Sequence, residues 1–88
     1  MDNIEKVLEK QELRYVLATA VSGRPTYLKK ELQKIEYSFV TDIINATKAH
    51  SKKIAQIMLE NYIHDTGDTG SELVIIPLVI SYELVKLL

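Results

Sequence analysis

The side chains best placed to do chemistry are carboxylates. Asp65, Asp68 and Glu72 sit close together in His64-Asp65-Thr66-Gly67-Asp68-Thr69-Gly70-Ser71-Glu72. Oxygen donors at this spacing could hold a hard cation, and paired carboxylates could share a proton in acid–base work. A calcium loop counted from Asp65 finds its glycine at the sixth position, Gly70. Its twelfth position is Ile76, where a bidentate Glu is required. His50 and His64 are the only histidines. On one unbroken helix they would stand about 21 Å apart, too far to share a metal. The chain has no Cys, which excludes a thiolate nucleophile, a Cys-based zinc site and a disulfide framework. No cofactor and no metal site is therefore expected.

The ten residues Asp68-Thr69-Gly70-Ser71-Glu72-Leu73-Val74-Ile75-Ile76-Pro77 resemble the retroviral-type aspartic protease signature. The resemblance implies a homodimer in which Asp68 of each chain shares one proton across a two-fold axis. In this chain Asp68 follows Thr66-Gly67 instead of an apolar strand, and little chain follows Gly70. Two glycines and two Asp-Thr pairs also make a polar turn, because Asp and Thr bond their own backbone two residues on. A turn is the reading adopted, with a non-enzymatic chain.

Basic residues form the next cluster. Arg24, Lys29, Lys30, Lys34, Lys48, Lys52 and Lys53 oppose only Glu31, Glu36 and Asp42, so residues 24–53 carry +4 within a total of −1. This bias could meet phosphates. Residues 17–34 have a helix-turn-helix flavour: small residues, a Gly turn at Gly23, then a Thr26-Tyr27-led segment bearing lysines. A DNA-binding regulator is the alternative function on this ground.

These groups must be positioned by a single domain of 88 residues with 47% hydrophobic content. From Thr26 to His64 there is no Gly and no Pro, and Leu28, Leu32, Ile35, Phe39, Ile43 and Ala46 recur at helical steps. One helix of that length would be about 55–60 Å long. The spacing therefore predicts a helix from Thr26 to about Thr47, a basic joint at Lys48–Lys53, and a second helix to about Tyr62. Ser51 is its expected N-cap, with Ile54, Ile57, Met58 and Tyr62 on its face. Asp2 and Glu5 suggest a capped first helix. Leu13–Val21 is read as its continuation, with a strand as the competing possibility. Ser22 to Thr26 forms a turn.

Leu73–Leu88 is the most apolar run. Sixteen residues of helix are too short to cross a bilayer, and Glu83 and Lys86 interrupt the run, so a membrane partner is not expected. Its β-branched residues favour strand, while Pro77 opposes a central strand; the balance adopted is mainly helix. The charged N-terminus lacks a signal-peptide core, so the expected location is cytoplasmic.

The sequence thus predicts a mainly α fold, a bundle of three to four helices with a long or broken central helix. An α+β fold with a short C-terminal strand is the alternative. Apolar surface in excess of what a thin domain can cover predicts a homodimer. The function expected is that of a regulatory or adaptor protein binding another, as yet unidentified, protein. Its apolar interface would involve Ile35, Phe39, Ile43, Leu78, Tyr82 and Val85.

Overall fold

A computed structural model describes residues 4–19, 23–31 and 33–87. Four strands form one antiparallel sheet: β1 (Ile4–Thr19), β2 (Tyr27–Lys30), β3 (Tyr37–Val40) and β4 (Leu73–Leu87). A 3-10 turn at Ile43–Asn45 and one helix, α1 (Lys52–Thr66), lie between β3 and β4. The strand order is β3-β2-β1-β4. The fold is therefore mainly β, and the all-helical bundle predicted from the spacing is corrected.

Each error has a physical source. The stripe from Leu28 to Ala46 is split among β2, a turn, β3 and the 3-10 segment. The β2–β3 turn contains neither Gly nor Pro, and no described non-glycine residue takes a positive φ. Nothing in that turn demanded a residue that would announce it. Along β1 a bulge falls between Leu8 and Lys10. The bulge puts Leu8 out of step with Leu13, Tyr15 and Leu17, so no two-residue alternation runs the length of the strand. Leu13 to Thr19 belongs to this strand and is not a continuing helix. In β4 the β-branched preference wins over helix, and at 15 residues the strand far exceeds the short one of the α+β alternative. The expected cap at Asp2, Ser22 of the turn and Leu32 of the stripe lie outside the described residues.

The expected joint between two helices is instead a link from the 3-10 turn, but α1 starts where it was expected. Ser51 caps the helix, its Oγ accepting from the Ile54 backbone N–H at 3.1 Å. The helix runs past Tyr62 to Thr66 and ends on Gly67, whose φ of 75° satisfies a left-handed C-cap. Its inner face keeps Met58 and Tyr62 of the predicted four and not Ile54 and Ile57. Ala55 and Tyr62 are buried and Met58, Leu59 and Ile63 pack behind them, whereas Ile54 and Ile57 are exposed.

The core sits at one end of the sheet. Leu17, Leu28, Tyr62 and Leu73 form its buried centre, with Tyr37 and Ile75 against them. Strands β1 and β2 pair only at Ala18–Tyr27 and then diverge. The segment 47–49 fills the gap. Thr47 donates its backbone N–H to the Leu28 carbonyl (3.1 Å), and its Oγ1 accepts from the Lys30 N–H (2.9 Å). Two residues on, Ala49 exchanges both backbone bonds with Tyr15, at 2.8 and 2.9 Å. Ala46 and Ala49 are buried there. Small side chains let a third backbone segment lie between two strands.

Candidate interaction surface

Strands β1 and β4 pair along nearly their whole length, from Ile4–Leu87 to Thr19–Leu73. Only the Leu73 end carries the core. The rest projects as a two-stranded ribbon about 33 Å long. The protein measures 55 × 26 × 21 Å, and its radius of gyration is 16.4 Å. A compact chain of this length would have about 12 Å. A two-stranded ribbon alone is only marginally stable in water.

Residues directly opposite in an antiparallel pair share a face. Lys10–Tyr82, Glu12–Ile80, Arg14–Leu78 and Val16–Ile76 are such pairs. On β4 this face presents Val74, Ile76, Leu78, Ile80, Tyr82 and Leu84 at alternate positions, an unbroken apolar row. On β1 it presents an ion-paired row, Lys10 to Glu12 at 2.9 Å and Arg14 to Glu12 at 3.2 Å. Tyr82 reaches the Glu12 carboxylate at 3.5 Å. The pairing holds the Glu12 carboxyl below its ordinary range, chiefly through the Lys10 hydrogen bond, and raises Lys10 in return. Tyr82 is 50% exposed and Leu84 58%. The opposite face exposes Leu13, Val79 and Val85.

The outer edge of β4 pairs with no strand among the described residues. Its direction follows from Tyr15, which spends its backbone groups on Ala49 and stands opposite Pro77. Opposed residues are both turned inward or both turned outward. Pro77 therefore faces the free edge, as do Val79, Ser81, Glu83 and Val85 by alternation. Pro77 removes no ladder bond in that orientation, which is why a proline sits within a 15-residue strand.

The predicted interface residues are scattered. Ile35, 73% exposed, lies in the β2–β3 turn. Phe39 stacks edge-on against Tyr62 at 6.0 Å, and Ile43 is half-buried in the 3-10 turn. Leu78 and Tyr82 share the apolar row, while Val85 lies on the other face. Ile76, Ile80 and Leu84 were not singled out from the sequence. Their period-two signal was hidden because the intervening positions are also largely apolar.

The basic residues are spread over several elements. Lys29 pairs with Glu31 at 3.5 Å, and adjacent Lys30 approaches the Tyr37 ring at 5.9 Å. Lys48 Nζ donates to the carbonyls of Ile44 and Ala46. Arg24 is exposed before β2, Lys34 in the β2–β3 turn, and Lys52 and Lys53 at the start of α1. Among the described residues of 17–34 there is no helix, so the expected helix-turn-helix segment does not form.

The acidic loop joins α1 to β4 and closes on itself. Tyr62 OH donates to Asp68 Oδ2 at 2.8 Å, and Thr69 N–H donates to Asp68 Oδ1 at 2.7 Å. These bonds, the tyrosine's first, hold the Asp68 carboxyl below its ordinary value. Burial, then the Asp68 carboxylate, raises the Tyr62 phenol. Tyr37 donates to Asp65, and burial with that bond pushes its phenol up to about 12. A shallow cleft of about 550 Å³ lies beside this loop, lined by Phe39, Tyr62 and the hydroxyls of Thr19 and Thr26. Thr19 and Thr26 bond to one another there. Among the described residues no three His, Asp or Glu side chains converge as metal ligands. His50 and His64 lie at opposite ends of α1. No described helix is long and apolar enough to cross a membrane.

No family model matches this chain, and no similar protein was found among curated proteins or solved structures.

Proposed function

We propose that this chain is a small regulatory or adaptor protein that acts by protein–protein interaction as a homodimer, and that the β1–β4 ribbon is its interacting element. One observation carries this reading: the ribbon projects from the core with apolar side chains exposed on both faces and one edge that no described residue pairs. Apolar surface of that extent on a projecting element is the mark of an interaction site. In the acidic loop the Asp68 carboxylate accepts from Tyr62 and from the Thr69 N–H, in keeping with a polar turn.

The test is the solution mass of the chain, with an Ile80→Asp/Leu84→Asp variant beside it. The reading expects a mass above the 10.0 kDa of one chain. It also expects the variant to return to one chain with an unchanged circular dichroism spectrum.

A further inference from the structure

We infer that the occupant of the β4 edge is a second copy of this chain, docked antiparallel through β4 with the two-fold axis at Tyr82. The inference rests on the reading above and specifies its geometry. A long, apolar edge strand invites pairing, and natural proteins protect such edges with charge and proline or cover them. On the outward backbone positions from Leu73 to Val85, the only protective residues are Pro77 and Glu83.

The register follows from what would stand opposite what. With the axis at Tyr82, Tyr82 faces Tyr82 of the second copy, and Ile80 faces Leu84. On the other side of the sheet Val79 faces Val85 and Ser81 faces Glu83. Apolar meets apolar, polar meets polar, and no like charges oppose. Moving the axis to Glu83 sets two carboxylates directly against each other. Moving it to Ser81 sets Val79 against Glu83 and Ile80 against Tyr82, and brings Pro77 further into the ladder. Of these three axes, Tyr82 is the one that matches the pairs from Val79 to Val85; beyond them Leu78 faces Lys86 at the end of the paired segment.

The outward positions Val79, Ser81, Glu83 and Val85 would then supply about eight inter-chain backbone hydrogen bonds. Pro77 falls at the end of the paired segment, where its missing donor costs least. The paired edge would be about 37 Å long. With a depth of about 15 Å through both side-chain layers, it buries roughly 1,100 Å² in total, just above the ~1,000 Å² a specific interface needs. The dimer is therefore reversible and concentration-dependent. Both cores lie at the far ends of the joined ribbons, so they do not collide. The two apolar rows meet across the axis and form one continuous band, flanked on each side by the Lys10–Glu12–Arg14 row.

Two variants of the full chain test this. Ser81→Pro removes an outward N–H and no intrachain ladder bond, as Pro77 already does on the same strand. One lost bond per chain, counted twice by symmetry, weakens the dimer roughly tenfold to a hundredfold, with the circular dichroism spectrum unchanged. Tyr82→Cys places the only thiols of the assembly about 4.5 Å apart at Cα across the axis, within disulfide range. Mild oxidation is expected to yield a covalent dimer, while Val79→Cys, displaced from its own copy by about 20 Å, yields none. A dimer that resists Ser81→Pro and does not cross-link through Tyr82→Cys overturns the edge pairing while leaving ribbon-mediated assembly standing. A wild-type chain that stays monomeric at every concentration overturns both.

Discussion

Pro77 stands directly opposite Tyr15, and Tyr15 turns its backbone away from β4 to bond Ala49 on its other side. This relationship connects the interior of the sheet to its free edge. Because Tyr15 is committed to Ala49, Pro77 must direct its imide nitrogen outward. The edge of β4 is therefore open at every described outward position except that one.

Replacing Pro77 tests this directly. In Pro77→Val a backbone N–H appears on the free edge without any ladder bond changing, and β propensity rises. We expect folding stability to change by less than about 1 kcal/mol, measured by urea unfolding. Self-association should strengthen and extend beyond the dimer, because the one proline guarding the edge is gone.

Thr47 should behave as a structural bridge. Its Oγ1 is the acceptor for the Lys30 N–H where β2 leaves β1. Thr47→Val keeps the shape and deletes that acceptor, leaving a half-buried donor unpaired. The expected loss is about 1–3 kcal/mol in urea unfolding. Thr47→Ser, which retains the hydroxyl, should recover most of it.

The helix ends make unequal contributions. Ser51→Ala removes the cap on Ile54 and should cost about 1 kcal/mol. Gly70→Ala is more damaging than its exposed loop suggests. Gly70 has a φ of 67°, and an added Cβ would stand 2.9 Å from Cδ1 and Cγ1 of Ile63, which packs on the core. We expect Gly70→Ala to exceed Ser51→Ala in destabilisation and Leu17→Ala, at a fully buried site, to cost about 2–5 kcal/mol.

Acid and alkali should act at different tyrosines. The Asp68 carboxyl lies below its ordinary 3.8 in the folded chain. Its contribution is present above pH 3.8 and is lost as pH falls through the lower folded value. The Tyr37 phenol rises from 10.0 to about 12, so its contribution is present below pH 10 and is lost as pH rises towards 12. Stability against pH should show a smaller acid-side slope in Asp68→Asn and a smaller alkaline slope in Tyr37→Phe, with Glu12 and Tyr62 supplying part of what remains.

Parts of this structure are legible in the sequence. Ser51 announces α1, and Gly67 lies where the polar loop was placed. The apolar C-terminal run was marked as the place where surface exceeds what one chain can cover, although as a helix. The strands were hidden for local reasons. A bulge in β1 disturbed its alternation, and the β2–β3 turn used no turn-specific residue. Pro77 argued against a strand because edge position cannot be seen before the topology is known. The wedge at Thr47 and Ala49 carried no signal, since its bonds run from backbone and one hydroxyl to residues far away in the chain.

The central claim is that the ribbon assembles this protein, and mass by light scattering across a range of concentrations tests it most directly. The account predicts a rise from 10.0 kDa towards twice that value, suppressed by Ile80→Asp/Leu84→Asp. A constant 10.0 kDa at all concentrations, with the ribbon amides protected from exchange, would contradict it.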